Sequence, residues 1–347
     1  MKILHLLNSS HFSGAENVVC QIINMFKDDD NIEMVYCSRD GQIREALCER
    51  NIDFVPITDL TVKEVKRVIR EVKPDVVHAH DMRASFIASI ACGKTKLISH
   101  IHNSDFRSRK ISIKSVLYLL AAPKISNVIW VSNSCFENYC FSDLFSKKST
   151  ILYNVINKQD IENRANQDIN CYGYDVVFVG RLANPKNPVR LLKIIEIAKR
   201  KYPNIKVGIA GTGDLEEIAH VTAHELGLED NVDFLGFFSN PMKLLQSSKL
   251  MVMTSDREGL PMVALEAMAL GVPIVSTPTD GLCDIVDHDI TGYLENDNEL
   301  FAKRIVEIIS NPELRMRLSR NTLKKFDSIN DVDTYKGILN GFYRENR

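Results

Sequence analysis

Short apolar runs alternate with longer segments of helical periodicity along the first half of the chain. Lys2–Asn8 is a short apolar run, and Ala15–Phe26 repeats its apolar residues every three to four positions, as an amphipathic helix does. The predicted strands are Lys2–Asn8, Met34–Cys37, Asp53–Pro56, Val76–Ala79, Leu97–Ile101 and Val128–Val131. The predicted helices are Ala15–Phe26, Gln42–Arg50, Thr61–Val72, Ala84–Cys92 and Ile113–Ala122. This alternation indicates a doubly wound parallel sheet.

The same alternation begins again after the polar stretch Asn154–Asn170, which we interpret as a linker. The predicted strands are Asp175–Gly180, Lys206–Ala210, Val232–Phe234, Leu250–Thr254 and Pro273–Ser276, and the predicted helices are Pro188–Lys201, Glu216–Leu226, Pro241–Ser247, Pro261–Leu270 and Leu300–Ser310. We therefore predict an α/β protein with two Rossmann-like domains, 1–160 and 171–325, facing a cleft. Residues 326–347 are predicted as a C-terminal helix, and we consider a return of that helix to the first domain.

Composition and charge are typical of an ordinary globular protein. The chain has 347 residues, 45% of them hydrophobic, and a net charge of −2, so two domains are expected. No apolar run reaches the roughly 18–20 residues that span a bilayer, and the first residues lack the cleavage site of a signal peptide. The eight cysteines form no CxxC pair. We therefore expect free thiols in a reducing cytoplasm.

Two glutamates flank an almost wholly apolar segment. Apolar residues surround Glu266 within the predicted helix Pro261–Leu270, and an unpaired carboxylate buried there would cost several kcal/mol. It therefore needs hydrogen-bond donors from the protein or from a ligand. Glu258 lies eight positions earlier, which places the two carboxylates roughly 10–12 Å apart, about the span from a sugar across a diphosphate to a ribose. The helix N-terminus between them offers N–H groups to anionic oxygens.

Positive charges and glycines follow the predicted strands of the second domain. Arg181 and Lys186 come after the strand that ends at Gly180, and Gly211 and Gly213 follow the next strand. Arginine and lysine bind phosphate oxygens, and a leaving diphosphate gains negative charge that such cations stabilise. Solvated loop charges are the alternative when these two cations are considered alone.

Neither glycine pattern matches the dinucleotide fingerprint GxGxxG. The segment Gly211–Asp214 lacks the third glycine, and Ser13–Glu16 contains only Gly14, which argues against a nicotinamide cofactor. Gly14 at a helix start lets the backbone approach a ligand closely. A plain tight turn is the competing interpretation of this segment.

Histidines end two predicted strands of the first domain. His78 and His80 close one strand, and His100 and His102 close the next. Alternation puts each pair on one face of its strand. No carboxylate or cysteine falls at a spacing that completes a convincing metal site, so no metal is predicted. His102 is our candidate to contact a sugar hydroxyl, and a hydrogen-bonded structural histidine is the alternative.

Residues 92–125 are strongly basic. They hold seven lysines and arginines against one acidic residue, Asp105, and Arg107–Lys114 runs into the apolar Val116–Leu120. A basic amphipathic stretch suits an anionic membrane surface or a diphosphate-bearing lipid, so 107–125 is predicted to contact a membrane; a solvated charged edge is the alternative. Nucleic acid is disfavoured because the protein as a whole is not basic.

Several motifs recur in a fixed order along the chain. They are Ser13–Glu16, Asp75–Asp81, Gly180-Arg181 with Lys186, Gly211-Thr-Gly213, Phe234-Leu-Gly236, and Glu258 with Glu266, which have seven residues between them. Together these motifs resemble the family 4 retaining glycosyltransferases of bacterial surface-polysaccharide type, which have the GT-B fold. The resemblance covers most of the chain and is most specific in 175–295.

The resemblance implies roles for these residues. Glu266 would hold ribose hydroxyls, while Arg181 and Lys186 would neutralise the diphosphate. Glu258 and His102 would lie at the reacting sugar. Binding of the donor is further implied for Gly14, Gly211, Gly213, Phe237, Gly259, Leu260, Pro261 and Met262.

The implied reaction is transfer of a sugar, with retained anomeric configuration, from a nucleotide diphosphate sugar to a hydroxyl of a glycan or polyprenyl-diphosphate-linked acceptor. A UDP-linked donor follows from family habit, and no cofactor and no metal are expected. The enzyme would be a hexosyltransferase of the cytoplasm, peripheral on the inner face of the membrane. Alternatives are an epimerase or phosphorylase of the same fold and a non-catalytic subunit. Ser13 and Asn187 depart from the family pattern because relatives commonly have glycine there.

Overall fold

The computed structural model of the chain describes residues 1–103 and 107–345. Contacts within it divide the chain into two units, Met1–Asn154 with the C-terminal helix, and Val155–Asp331. Each unit has its own parallel sheet, which confirms the predicted α/β class with two doubly wound sheets. Asp105 and the last two residues of the predicted segment 326–347 lie outside the described residues.

The strands of the first unit are β1 (Lys2–Leu6), β2 (Glu33–Arg39), β3 (Phe54–Ile57), β4 (Val76–His80), β5 (Lys96–Ile101), β6 (Asn127–Trp130) and β7 (Ser149–Ile151). Its helices are α1 (Gly14–Met25), α2 (Ile43–Cys48), α3 (Val62–Val72), α4 (Asp81–Ala91), α5 (Ile113–Ala121) and α6 (Asn133–Glu137), with a 3₁₀ helix at Ser142–Lys148. The sheet has the order β3-β2-β1-β4-β5-β6-β7. Because this order reverses between β1 and β4, the loops after these strands diverge, and such a point binds ligands in doubly wound sheets.

The two central strands of this sheet are buried along their whole length. Every residue of β4 and β5 is buried, as expected for a parallel sheet covered by helices on both faces. Some helix starts in this unit are fixed by side-chain caps. Thr61 accepts the Glu64 N–H at 3.3 Å before α3, and Ser112 caps α5, so the polar residues beside the apolar runs set where these helices begin.

The strands of the second unit are β8 (Val176–Val179), β9 (Val207–Ala210), β10 (Val232–Gly236), β11 (Leu250–Met253), β12 (Ile274–Ser276) and β13 (Gly292–Leu294). Its helices are α7 (Lys158–Gln167), α8 (Pro188–Lys201), α9 (Glu216–Glu225), α10 (Met242–Ser247), α11 (Met262–Ala269), α12 (Asp280–Ile285), α13 (Asn298–Ser310) and α14 (Pro312–Ile329), with a 3₁₀ turn at Asn184–Lys186. The strand order β10-β9-β8-β11-β12-β13 reverses between β8 and β11.

The structure places a helix where the sequence predicted the linker Asn154–Asn170. Helix α7 lies there and packs against α10 and α11. Asn157 caps it by accepting the Asp160 N–H at 3.1 Å. The helix buries only Ile161 and Ala165, and such sparse apolar spacing gives no strong periodic signal. The predicted linker is therefore part of the second unit.

The units also begin and end at other residues than the predicted 160, 171 and 326. The first boundary falls after Asn154, and the second falls after Asp331. Ile156 belongs to the second unit because its N–H donates to Asn330 Oδ1 at 2.7 Å and its carbonyl accepts from Asn330 Nδ2 at 2.9 Å. Position 326 lies inside α14, which ends at Ile329.

The C-terminal helix α15 (Val332–Arg344) belongs to the first unit. The hydroxyl of its Tyr343 lies 2.9 Å from His78 Nδ1. Lys96 Nζ donates to the Phe342 carbonyl at 2.5 Å. Tyr335 and Leu339 are buried on the same helix, so α15 completes the core of the first unit.

Candidate functional site

Two loops are fixed to each other at the switch point of the second sheet. The loop after β8 contains 180–187, and the loop after β11 contains 254–261. The Asp256 N–H donates to the Pro185 carbonyl at 2.9 Å. Thr254 Oγ1 lies 3.0 Å from the Lys186 carbonyl and 3.1 Å from the Asn187 carbonyl. The loops that carry the predicted cation and carboxylate are therefore held in one arrangement.

Lys186 and Glu258 form an ion pair between these loops. Lys186 Nζ donates to Glu258 Oε1 at 2.6 Å, and the two side chains are only 22% and 12% exposed. Ser255 Oγ donates to the same carboxylate oxygen at 2.6 Å. Lys186, which is predicted to bind the diphosphate, and Glu258, which is predicted to contact the sugar, thus hold each other. Because the pair is partly buried, its attraction is stronger than that of an ion pair on the surface.

Asn187 has a backbone conformation that glycine would also adopt readily. It has φ +51° and ψ +60°, in the left-handed region that glycine and asparagine tolerate best. Its side chain accepts the Arg190 N–H at 3.1 Å, which caps α8, and donates to Asp256 Oδ1 at 3.0 Å. This departure from the family pattern therefore retains the loop geometry around Lys186.

Glu266 is a buried carboxylate on α11, and its residue is only 8% exposed. Among residues 1–103 and 107–345, none donates a hydrogen bond to it. Burial raises the pKa of Glu266, and attraction from Arg164 opposes the rise. A charge in such a setting requires donors. The carboxylate oxygens of Glu266 are therefore available to accept hydrogen bonds from a bound ligand.

Arg164 is a charge near the site that the sequence interpretation missed. It lies on α7, which was predicted as a linker. The positive charge of Arg164 lowers the pKa of Glu266, while the negative charge of Asp160 raises it. The Arg164 carbonyl accepts a hydrogen bond from Asn240 Nδ2 at 2.8 Å, which ties α7 to the loop before α10. The cap formed by Asn157 and Asp160 was the signal that could have revealed this helix.

Arg181 and Phe237 are exposed at the carboxyl edge of the second sheet. Arg181 follows β8 directly. Phe237 follows β10 and its ring is 77% exposed. Both side chains are therefore accessible to a ligand at the edge where doubly wound sheets bind one.

Gly211 and Gly213 allow two loops to pack closely. A Cβ on Gly211 would lie 2.0 Å from the Gly180 carbonyl oxygen, and a Cβ on Gly213 would lie 2.4 Å from the Leu182 oxygen. The Leu182 N–H also donates to the Thr212 carbonyl at 2.9 Å. Loop packing thus explains both glycines without a ligand.

The segment Gly259–Met262 is held against the start of α12. A Cβ on Gly281 would lie 1.5 Å from the Gly259 carbonyl oxygen, so only glycine fits there. Leu260, Pro261 and Met262 are buried, and α11 begins at Met262. The segment that is predicted to bind the donor therefore lies at a fixed helix start. The first N–H groups of a helix have no partners within the helix. Sequence analysis did not identify Gly281.

Gly14 begins α1 in the first unit and has open space where a side chain would lie. The Ser13 hydroxyl donates to the carboxylate of Glu16, which is buried, and burial raises the pKa of Glu16. The Ser13 side chain is thus bound within its own turn. The open approach to Gly14 is compatible with the predicted ligand contact.

The sheet register brings the predicted histidine pairs together with a fifth histidine. His5 on β1 is the register partner of His78 on β4, and His80 is the register partner of His100 on β5. All five imidazoles, including His102, are buried. Sequence analysis missed His5 because its strand is separated from β4 by two other strands in the chain.

These imidazoles include two groups that could hold a metal ion. They are His5 with His78 and His80, and His80 with His100 and His102, with ligand atoms within 4.8 Å of one another in each group. Burial lowers the pKa of His5 to about 3 and also lowers the pKa of His102, where Asp81 opposes the shift. The rings are therefore neutral at physiological pH.

The basic segment presents an apolar surface beside its charges. On and beside α5, Ile111, Ile113 and Leu120 are exposed, with Ile113 at 82%. Lys110 and Lys114 belong to the same stretch. In the described part of the chain, every helix is too short or too polar to cross a bilayer.

Two family models together match residues 12–325. The model described as Glycosyltransferase Family 4 matches residues 12–160, and the model described as Glycosyl transferases group 1 matches residues 159–325. The first match contains the Gly14 turn and the histidine-bearing strands β4 and β5, and the second contains the switch-point loops with Lys186 and Glu258.

Two curated relatives align with nearly the whole chain. The capsular polysaccharide biosynthesis glycosyltransferase CapH of Staphylococcus aureus is 23% identical over 350 residues, which cover 94% of this chain and 95% of the relative. The UDP-Gal:α-D-GlcNAc-diphosphoundecaprenol α-1,3-galactosyltransferase of Escherichia coli is 22% identical over 375 residues, which cover 97% and 96%.

A solved structure has the same fold along the whole chain. Anabaena Alr3699/HepE, crystallised with UDP-glucose, superposes with a TM-score of 0.84 at 22% sequence identity, and the match covers 98% of each chain. This likeness supports the fold, and the two family models confirm the glycosyltransferase family that the motifs resemble. The chain therefore belongs to the family 4 glycosyltransferases of GT-B fold.

Proposed function

We propose that this glycosyltransferase transfers a hexosyl group, with retained anomeric configuration, from a UDP-sugar to a hydroxyl of a lipid-linked or free glycan in surface polysaccharide synthesis. The observation that carries the proposal is Glu266, a buried carboxylate for which no described residue supplies a donor. The two ribose hydroxyls of a nucleotide are suitable donors, since charged acceptors form the stronger hydrogen bonds.

The diphosphate would lie at the start of α11, beside Lys186 and Arg181. The first N–H groups of a helix and its positive dipole end favour anionic oxygens. Glu258 holds the Lys186 ammonium at 2.6 Å, and Ser255 in turn holds that Glu258 oxygen at 2.6 Å, so little reorganisation is needed as negative charge develops on the leaving diphosphate. That diphosphate can accept the proton of the attacking hydroxyl, which needs no metal and no covalent enzyme nucleophile.

The sugar and the base would contact opposite ends of this arrangement. Glu258 retains one carboxylate oxygen, Oε2, outside its bonds to Lys186 and Ser255, and that oxygen can accept from a sugar hydroxyl. Phe237 is exposed, and its ring offers a surface against which the nucleotide base of the donor can pack. In the first unit, His102 is proposed to contact the reacting sugar and Gly14 to lie near the phosphates.

The donor and acceptor classes rest on the names of relatives. CapH is named for capsular polysaccharide biosynthesis, and the Escherichia coli relative is named for a UDP-galactose donor and a diphosphoundecaprenol-linked acceptor. HepE was crystallised with UDP-glucose. These names support a UDP-sugar donor and a polyprenyl-diphosphate-linked glycan acceptor for this chain.

Segment 107–125 is proposed to contact the anionic inner surface of the cytoplasmic membrane. Exposed Ile111, Ile113 and Leu120 accompany its lysines and arginines, and apolar side chains with flanking cations bind anionic interfaces. A lipid-linked acceptor lies in that surface, so this contact would bring enzyme and acceptor together.

The proposed reaction is tested by incubating the wild-type protein with UDP-glucose, UDP-galactose, UDP-N-acetylglucosamine and GDP-mannose, each with undecaprenyl-diphosphate-linked N-acetylglucosamine. We expect release of UDP with one of the UDP-sugars, and NMR of the product should give the anomeric configuration of the donor. GDP release alone, or an inverted product, would contradict the proposed donor or the proposed stereochemistry.

A further inference from the structure

Three buried histidines of the first unit are connected in one hydrogen-bonded chain. His5 Nδ1 lies 3.0 Å from His80 Nε2, and His80 Nδ1 lies 2.8 Å from His102 Nε2. His80 therefore uses both of its ring nitrogens. The outer nitrogens of the chain, His5 Nε2 and His102 Nδ1, are buried without a partner among residues 1–103 and 107–345.

Neutral imidazoles leave this chain only two arrangements. A neutral ring has one N–H and one bare nitrogen, so each hydrogen bond needs an N–H on one side and a bare nitrogen on the other. If His80 carries its proton on Nε2, His5 and His102 must carry theirs on Nε2 as well. If His80 carries it on Nδ1, both neighbours must carry theirs on Nδ1. If neighbouring rings had different tautomers, two N–H groups or two bare nitrogens would lie opposite each other at 3.0 Å or less.

Burial keeps the chain neutral. The pKa of His5 is lowered to about 3, and the pKa values of His80 and His102 are lowered as well, because an imidazolium would lose its hydration. A proton passed along the chain from His102 would create that imidazolium at His5. The chain is therefore suited to fixing proton positions and not to carrying a net proton.

We propose that His80 and His5 are positioning residues that fix the tautomer of His102. In one of the two arrangements His102 Nδ1 is a bare acceptor, and in the other it is an N–H donor. Because the three rings share one tautomer, a substrate hydroxyl bound at His102 Nδ1 would favour one arrangement for all three rings. The significance of this coupling for transfer rests on the proposed function, in which His102 contacts the reacting sugar.

A metal ion fits the same rings less well. The two hydrogen bonds already use four ring nitrogens of His5, His80 and His102, which are members of the two histidine groups. The His100 and His102 rings stack with centroids 4.2 Å apart and an angle of 28° between planes, so their in-plane lone pairs run side by side. A zinc ion needs lone pairs that converge on one point.

NMR of ¹⁵N-histidine-labelled protein near neutral pH tests this proposal directly. Wild-type His5, His80 and His102 should be neutral and share one tautomer. His80→Phe should leave His102 with a mixture of tautomers. His100→Phe is the matched control, because His100 lies on the same face, stacks on His102 and forms no hydrogen bond to a described residue; it should leave His102 unchanged.

Several results would overturn the proposal. They are different tautomers among the three wild-type rings, a protonated ring, or ¹⁵N shifts that move on addition of a chelator and so report bound metal. Thermal unfolding of each variant identifies loss of fold. If His80→Phe does not fold, the wild-type spectrum still decides, since a shared tautomer is expected there.

Turnover of the same variants separates this proposal from the proposed function. His80→Phe should lower kcat about fivefold, the effect of one lost hydrogen bond, with little change in KM for the donor. His80→Asn, which keeps a polar atom toward His102, should recover part of that loss, and His100→Phe should not change kcat. A shared tautomer with unchanged kcat in His80→Phe would uphold the chain and refute the role of His102 at the sugar.

Discussion

Lys186 and Glu258 form a 2.6 Å ion pair between the loops that follow β8 and β11. These strands are neighbours at the point where the strand order of the second sheet reverses. The pair therefore joins the two halves of the sheet at the place where doubly wound folds bind ligands. Its partners were predicted to serve different parts of the donor, and the structure shows that each also positions the other.

Breaking this pair should reduce transfer strongly. Lys186→Met should lower kcat about 100-fold, since one preorganised charge at a leaving group has effects of that size. Glu258→Gln should also reduce kcat, and the double variant should lose less than the sum of the two effects because the residues act together. The measurement is nucleoside diphosphate release at saturating donor.

Lys193→Met serves as the control for this pair. Lys193 lies on α8 and is exposed, so its loss should leave kcat unchanged. Strictly additive effects of Lys186→Met and Glu258→Gln would contradict the coupled role of the two residues.

Arg181→Ala should reduce transfer severely without lowering stability. The side chain is exposed immediately after β8, so its removal leaves no cavity. A lost cation at the diphosphate should cost about 10²–10³ in kcat. Thermal unfolding and UDP release are measured together, with exposed Arg200→Ala on α8 as the control. Wild-type turnover in Arg181→Ala would remove this residue from the site.

Gly211→Ala should destabilise the second unit by about 2–4 kcal/mol. The added Cβ would lie 2.0 Å from the Gly180 carbonyl oxygen, and Gly211 also has φ +145°. Gly337→Ala is the matched control in α15, where a Cβ meets nothing within 4 Å. That substitution should stabilise the protein by up to about 1 kcal/mol, since alanine favours helices. Equal urea midpoints for the two variants would contradict the loop-packing explanation of Gly211.

Neutralising Arg107, Arg109 and Lys110 together to glutamine should weaken binding to anionic vesicles. Each basic residue near such a surface contributes about 1 kcal/mol, so three should change partitioning about 100-fold. Sedimentation with phosphatidylglycerol vesicles measures the effect, and phosphatidylcholine vesicles provide the uncharged comparison. The control neutralises Lys199, Arg200 and Lys201 at the end of α8. Equal loss in both triple variants would refute a specific membrane contact at 107–125.

The sequence predicted the elements whose signals are local. The apolar alternation located β4 and β5, and it placed His78 with His80 and His100 with His102 on one face each. Glu266 was identified because eight apolar neighbours leave a carboxylate no solvated position. These inferences depend only on period and on the cost of burying charge.

The sequence could not predict what depends on contacts between distant residues. His5 joins the histidine chain through a hydrogen bond to His80, which lies 75 residues away in the sequence. Gly281 is required because α12 packs against the Gly259 carbonyl. Helix α7 is held by packing against α10 and α11 and buries only two residues. In each case a tertiary contact, and not local propensity, decides the structure.

Glu266→Gln should stabilise the protein in the absence of ligand and change its pH dependence. Burial raises the pKa of Glu266 above its unfolded value, so the folded state binds this proton more tightly than the unfolded state does. The stability that this group contributes is therefore full below pH 4.5, the ordinary pKa, and is lost as the pH rises from there through the raised pKa of the folded state. Urea unfolding should show that the free energy of unfolding of the wild type decreases between acidic and neutral pH. This decrease should be smaller in Glu266→Gln.

The central claim is that Glu266 binds the ribose of the donor, and calorimetric titration with UDP and 2′-deoxy-UDP tests it most directly. The wild type should bind UDP at least tenfold more tightly than 2′-deoxy-UDP, as expected for a hydrogen bond to a charged group. Glu266→Gln should lose most of that difference, and the exposed control Glu217→Gln on α9 should keep it. The same preference for UDP in Glu266→Gln and in the wild type would contradict the account.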